Sequence, residues 1–215
     1  MKTALAETLR PGLRAALLLG SFALLGSALV SFTHRITEPV IRHNERQMLL
    51  TLLEGLLPRD RHDDAIIGDT LRIHDPTLLG TSESITVYRA YHDGEPLAVF
   101  ATPVAPDGYG GSIRLLVATH ADGTLAGVRV LGHRETPGLG DAIEATRSDW
   151  IHGFRNRALG DPPLADWAVR RDGGAFDQLT GATISARAVV RAVRDWLRYF
   201  AAHRRQLLAR RETTP

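Results

Sequence analysis

The chain contains no cysteine. Disulfides, thiolate catalysis, iron–sulfur clusters and c-type haem attachment are thereby excluded on this chain, and any redox chemistry must come from a cofactor held without thiols. A strong excess of one charge is also lacking: 26 Lys and Arg face 24 Asp and Glu, for a net charge of +2. That balance gives no case for nucleic acid as a partner, and no nucleic-acid motif occurs. Nine histidines are present, but none falls in a metal-ligand spacing such as His-x-x-x-His. They are taken as surface or structural residues, and no metal site is expected. No Gly-x-Gly-x-x-Gly follows a strand pattern, which argues against a Rossmann nucleotide site.

One long uncharged run stands out, from Ala15 to Thr33. About 20 apolar residues cross a bilayer core as a helix. The rival is a cleaved signal peptide, for which the small residues Gly26, Ser27 and Ala28 speak. The run is longer than the roughly 7–15 residues of a signal's apolar region, so a retained single-pass anchor is preferred. Lys2, Arg10 and Arg14 precede it against Glu7, and Arg35, Glu38 and Arg42 follow. The slight basic excess before the run favours an inside N-terminus and a domain on the outer, periplasmic side of an inner membrane. At 215 residues, one anchor and one domain is the natural division. The expected parts are a cytoplasmic N-terminus (1–14), a transmembrane helix (15–34), a juxtamembrane helix and connector (35–83), a soluble domain (84–208) and a tail (209–215).

Thr37-Glu38-Pro39 opens a second helical pattern, with an apolar stripe at Val40, Ile41, Met48, Leu49, Leu52, Leu53, Leu56 and Leu57, and Pro58 ends it. Residues 59–83 are polar and irregular, with a short strand at Leu71-Arg72-Ile73. Two hairpins follow. Thr86–Tyr91 and Pro96–Thr102 flank a turn at Asp93-Gly94, and Ser112–His120 and Thr124–Leu131 flank one at Asp122-Gly123. Asp141 with Glu144 three residues on predicts a capped short helix reaching Arg147. A further element spans Trp150–Ala158, and Trp167–Arg170 is a short strand. The last helix, from Ala186 to about Leu208, sets Val189, Val193, Trp196, Leu197 and Phe200 against Arg187, Arg191, Arg194 and Arg198. Its apolar face should pack on the sheet. Its basic face is either simply solvated or rests on anionic lipid or an acidic partner in a complex. The tail from Arg204 should fray. The fold class is α+β: an antiparallel sheet of hairpins packed with helices, behind a transmembrane helix.

The chemistry concentrates in Asp177-Gln178-Leu179-Thr180-Gly181-Ala182-Thr183-Ile184-Ser185. Three hydroxyls crowd a turn that runs into the last helix. A helix start suits a phosphate, since its N–H groups are unpaired and its dipole end is positive. An ordinary helix N-cap is the plainer account of the same residues. Two glycine-rich loops lie upstream: Asp107-Gly108-Tyr109-Gly110-Gly111 and His133-Arg134-Glu135-Thr136-Pro137-Gly138-Leu139-Gly140. Each could be a plain turn, and each glycine also permits close backbone approach to a ligand.

Taken together, these motifs resemble the FMN-binding domain found in the G subunit of Rnf electron-transport complexes and in the C subunit of sodium-pumping NADH:quinone oxidoreductases. The stretch Asp177, Thr180, Gly181, Ala182, Thr183 is similar to that family's flavinylation motif, and the resemblance extends over essentially the whole chain. It implies that Thr183 carries FMN through a phosphoester, placed there by a dedicated FMN transferase that reads Asp177 and its neighbours. It also implies that Tyr109 and Gly110 border the flavin, that Glu135 and Thr136 meet the polar edge of the ring, that Leu139 packs on its face, and that Gly138 belongs to the same cofactor-binding loop. Ser185 completes the cofactor-binding set. No catalytic residue beyond the flavin is implied. The function implied is that of an electron carrier within an ion-translocating oxidoreductase, with the other components of the complex, the transferase and the lipid bilayer as partners. As an isolated chain its standing as an enzyme is open. The length fits the Rnf protein better than its sodium-pump counterpart. A non-redox anchoring or regulatory component and a free-standing periplasmic reductase are the alternatives.

Overall fold

The computed structural model describes residues 2–57 and 69–209. The chain divides into two units, residues 1–49 and 50–215. The first unit lies in helix α1, which runs from Lys2 to Leu56. Within it, Ala16–Glu38 is long and apolar enough to cross a membrane, with a mean hydropathy of 1.9. Its side chains from Ala16 to Thr37 are exposed around the whole circumference. An apolar helix bare on every side is what a bilayer, rather than a protein core, would cover.

The sequence predicts a second helix opening at Thr37-Glu38-Pro39, and here the structure differs: α1 continues through Pro39 unbroken. Proline removes one N–H donor and crowds the carbonyl four residues back, but strong helix formers on both sides carry the helix through. Thr33 and Thr37 send their hydroxyls back to the carbonyls of Leu29 and Thr33, both at 2.9 Å. The expected stop at Pro58 lies outside the described residues.

The second unit is built on one antiparallel sheet. Its strands are β1 (Thr70–Ile73), β2 (Ile85–His92), β3 (Glu95–Ala101), β4 (Val104–Ala105), β5 (Ile113–His120) and β6 (Leu125–Gly132). Both expected hairpins form, β2–β3 around Asp93-Gly94 and β5–β6 around Asp122-Gly123. Asp93 takes a left-handed φ of 52°, as the first residue of such a turn requires. Strand β5 is central. It pairs with β6 on one side and with β3 and then β4 on the other. Strand β4 and the short helix α2 (Pro76–Leu79) are not among the sequence expectations. The signal for α2 is nonetheless present: Asp75 accepts from the N–H groups of Thr77 and Leu78 at 3.0 Å, Pro76 follows it, and Gly80 closes the helix at φ 68°.

The two faces of the sheet are buried differently. Ile113, Leu115 and Val117 of β5 join the main core beneath helix α3 (Thr183–Leu208). The alternate residues Leu116 and Ala118 are also fully buried, with Ala98 and Phe100 of β3, yet stand outside that core. The end of α1 supplies cover on that side. Leu53, Leu56 and Leu57 are buried, and a Cβ built on Gly127 of β6 would come 2.7 Å from Leu56 Cδ2. Helix α3 buries Val189, Val193, Trp196, Leu197 and Phe200, the apolar face read from its periodicity. Trp196 Nε1 donates to Thr119 Oγ1 at 2.8 Å, so its one polar atom is satisfied in the core.

Several local expectations need correction. The basic stripe of α3 is exposed, and its arginines carry ion pairs within the chain. Arg187 pairs with Asp172, Arg191 with Asp107, and Arg194 and Arg198 with Asp195. The capped helix from Asp141 to Arg147 is instead a 3₁₀ turn, Gly140–Ile143, without a side-chain cap. The Glu144 carboxylate is drawn away to His133 Nε2 at 2.7 Å. The short strand at Trp167–Arg170 reduces to one parallel bridge between Val169 and Phe176, between 3₁₀ turns at Leu164–Asp166 and Arg170–Asp172. The helix kinks at His203, where φ is −116°, and then continues to Leu208 with Leu207 fully buried. Residues 210–215 lie outside the described chain.

Candidate functional site

Three segments far apart in sequence meet beside the start of α3. The first is the loop Asp107–Gly111, between β4 and β5. Gly110 is obligatory there, since a Cβ would sit 1.9 Å from the carbonyl oxygen of Arg134. The second is the loop after β6. It folds onto one acceptor: the Thr136 carbonyl receives the N–H groups of Leu139 and Gly140 at 3.2 and 3.0 Å. Gly138 makes the reversal at φ 79°. The third is the turn into α3, closed by Ala182 N–H donating to the Leu179 carbonyl at 3.0 Å.

Glu135 ties the three together. It is only 5% exposed. Gly110 N–H donates to its Oε1 at 3.1 Å, and Ser185 Oγ donates to its Oε2 at 2.5 Å. A carboxylate that accepts one backbone N–H and one hydroxyl is buried with both oxygens satisfied. The expected contact between Glu135 and a ring edge must therefore be weighed against bonds that the protein already makes. His133 supports the same loop, its Nδ1 accepting from Glu135 N–H at 3.0 Å while Glu144 holds the other ring nitrogen.

The segments enclose a cavity of about 530 Å³ lined by Tyr109, Glu135, Thr136, Leu139, Arg171 and the residues Gly181 to Ser185, with Gly140. Small-ligand sites typically measure roughly 300–1,000 Å³ and are mostly apolar with a few convergent polar groups. Tyr109, Leu139 and Ile184 are 70%, 48% and 47% exposed. Among the described residues they are three of the five large apolar side chains that the domain leaves exposed, and all three stand at this cavity. Exposed apolar surface gathered at one concavity marks a binding site.

Thr183 is the first residue of α3, half-buried in the cavity wall. The plain capping account fails. The N-cap position is Ala182, with no side-chain cap, and the Ser185 hydroxyl is spent on Glu135. Among the described residues the Thr183 hydroxyl makes no hydrogen bond. Gly181 adopts φ 78°, and a Cβ there would press on Leu139 Cδ2 at 3.0 Å.

Of the residues singled out from the sequence, Tyr109, Glu135, Thr136, Leu139, Gly181, Ala182, Thr183 and Ser185 line the cavity. Gly110 supports it through Glu135, and Gly138 shapes the loop without lining it. Asp177 and Thr180 are exposed and lie elsewhere. Asp177 Oδ1 pairs with Arg170 Nη1 at 2.8 Å, and its carbonyl accepts from Trp150 Nε1 at 2.6 Å in a separate depression. Sequence reasoning missed Arg171, Gly140 and Ile184. For Arg171 the available signal was its place just before the Asp172-Gly173-Gly174 turn. Asp172 itself is held below the usual carboxylate range, first by its hydrogen bond from Arg187.

An α+β domain with two glycine-rich loops and the turn into α3 around an apolar cavity matches the FMN-binding domain family over residues 108–198. That span holds the second and third segments and all of the first but Asp107. The RnfG N-terminal region family matches residues 1–56, which is α1. Similar full-length proteins carry the name of the G subunit of an ion-translocating oxidoreductase complex. One from Pseudomonas aeruginosa is 48% identical over 96% of this chain and 97% of its own length. One from Shewanella loihica is 45% identical over 90% and 91%. One from Vibrio cholerae is 42% identical over 89% and 91%. The chain belongs to the G-subunit family of ion-translocating oxidoreductase complexes.

Proposed function

We propose that this chain is the electron-carrying G subunit of a membrane-bound ion-translocating oxidoreductase, with FMN joined by a phosphoester to Thr183. The observation that supports it best is the Thr183 hydroxyl, unbonded among the described residues, in the wall of the cavity. The residues present fit a flavin nucleotide. Tyr109, Leu139 and Ile184 offer apolar surface to a planar ring, and Thr136 offers a hydroxyl at the same wall. Glu135 acts behind them, holding the Gly110 loop and the Ser185 turn in register. The flavin, once bound, supplies reversible one- and two-electron chemistry; the protein supplies position and environment.

Attachment requires Thr183 Oγ1 to attack the flavin-side phosphorus of FAD. The Oγ–P bond forms, the pyrophosphate P–O bond breaks, AMP leaves, and the hydroxyl proton passes to a base. That catalysis is assigned to a transferase: Glu135, the one carboxylate among the described lining residues, is already engaged by Gly110 and Ser185. A tether also fixes a high local cofactor concentration where free flavin is dilute, as on the outer side of a membrane. The basic excess before the Ala16–Glu38 span supports that orientation.

Peptide mass spectrometry tests the linkage. The fragment containing Thr183 should carry one esterified FMN, and Thr183→Val should fold, reach the membrane and carry none. Flavin mapped to Thr180 or Ser185 instead would overturn the assignment. Protease added to intact spheroplasts should digest the domain, and full protection would reverse the orientation.

A further inference from the structure

One cavity residue is explained by none of the motifs. We propose that Arg171 is the phosphate-recognition residue of this site, its guanidinium meeting the phosphate through which a flavin nucleotide reaches Thr183. The inference rests on the FMN reading above and adds to it a residue, a chemical contact and a means of holding that contact in place.

Arg171 is the one cationic side chain lining the cavity among the described residues, and it shares that wall with Thr183. Among the described residues no ion pair engages it, whereas both of its chain neighbours are engaged. Arg170 Nη1 meets Asp177 Oδ1 at 2.8 Å. Asp172 is held by a two-point contact from Arg187, Nε to Oδ2 at 2.6 Å and Nη2 to Oδ1 at 2.8 Å. The turn Arg170–Asp172 is thus pinned one residue to either side of Arg171. Gly173 closes it at φ 84°. Gly174 lies so close to the Ala168 carbonyl oxygen that a Cβ would come within 2.0 Å of it. Such a turn presents its middle side chain from a fixed base. A phosphodiester carries one negative charge and two free oxygens, which a planar guanidinium meets with paired N–H donors. Glu135, the only carboxylate at the wall among the described residues, is already engaged by Gly110 and Ser185 and does not compete for Arg171. Asp177 then has a second role besides facing outward: it pins the turn that aims Arg171.

FMN and riboflavin share the ring and differ in the phosphate, so their affinity ratio isolates this contact. The full-length chain in detergent micelles, carrying Thr183→Val so that no ester forms, is titrated with each ligand by flavin fluorescence quenching. FMN should bind roughly tenfold or more tightly than riboflavin, the strength of a charge-assisted contact. Adding Arg171→Ala should bring the ratio close to one while leaving riboflavin affinity unchanged. Arg171→Lys should retain part of the preference, as a point charge without the planar fork. Asp172→Asn, which removes one pin, should lower the ratio by a smaller factor. An undiminished ratio in Arg171→Ala overturns the proposal. So does an equal loss of both ligands, the mark of a merely structural residue, and so does the absence of any FMN preference in the Thr183→Val chain. In parallel, the wild-type chain is incubated with FAD and transferase, and the Thr183 peptide is weighed. A wild-type peptide without flavin defeats the ester assignment, whatever the ratio; a loaded peptide with a ratio insensitive to Arg171 defeats only the present inference.

Discussion

The nine residues from Asp177 to Ser185 behave as two halves facing opposite ways. The second half, Gly181 to Ser185, lines the cavity, and its Ser185 is fully buried against Glu135. The first half, Asp177 to Thr180, is largely exposed, and Asp177 pairs with Arg170 across a different depression. The chain turns between them at Gly181, where φ is 78°. Residues adjacent in sequence therefore line different depressions. The inner half is sized for a small ligand. The outer half is open to another macromolecule, as recognition by a transferase would require.

The contrast is broken most severely at Glu135. Glu135→Ala leaves the buried hydroxyl of Ser185 without its acceptor and frees the Gly110 N–H, whose bond is part-buried, and should cost about 1–3 kcal/mol of stability. Glu135→Gln should cost less, because the amide oxygen still accepts one of the two bonds; with a flavin in place it should also shift the midpoint potential, since a buried charge is removed from the cavity wall. Denaturant midpoints of the purified chain and redox titration check both. Unchanged midpoints would show that the three loops hold together without the carboxylate.

The outer half should respond in the opposite manner. Asp177→Ala removes one exposed ion pair, worth no more than about 0.5–1 kcal/mol, so thermal unfolding should barely move. Flavin loading at Thr183 by the transferase should nonetheless fall several-fold. A loss of stability matching that of Glu135→Ala would erase the distinction between the halves.

The smallest expected effect is acid dependence at the turn that carries Arg171. Asp172 has a depressed pKa in the folded state, chiefly through its hydrogen bond from Arg187. The stabilisation from that pair is therefore complete above the unfolded carboxylate value of about 3.9 and is lost as pH falls through the lower folded value. The difference in unfolding midpoint between wild type and Asp172→Asn should be flat from about pH 7 to 5 and shrink below about pH 4. A full difference persisting at pH 2 would show that the pair does not govern the turn.

Much of the framework could be read from local pattern. Both Asp-Gly hairpins form where the alternating apolar runs place them, and the apolar face of α3 is the one its periodicity predicts. These features depend on interactions within a few residues, which sequence records directly. The local readings that failed did so for tertiary reasons. Glu144, three residues after Asp141, has the spacing of a capping box, but His133 takes its carboxylate. The arginine stripe of α3 stays exposed, but Asp107 and Asp172 from elsewhere in the chain pair with Arg191 and Arg187, which the helix periodicity alone does not announce.

By itself, the sequence determined an apolar span beginning near Ala15, the antiparallel sheet, the long last helix and the identity of the three site segments, because spacing and residue type specify each of these locally. Only the tertiary structure decided which parts of those segments form the site. It left Asp177 and Thr180 out of the cavity lining, committed the Glu135 carboxylate to Gly110 and Ser185, and brought Arg171 into the lining together with Thr183. The physical reason is that hydrogen-bond and charge partners are allotted by distance in space. Gly110 and Glu135 are 25 positions apart and Glu135 and Ser185 are 50 apart, and nothing in a linear pattern announces that they will meet.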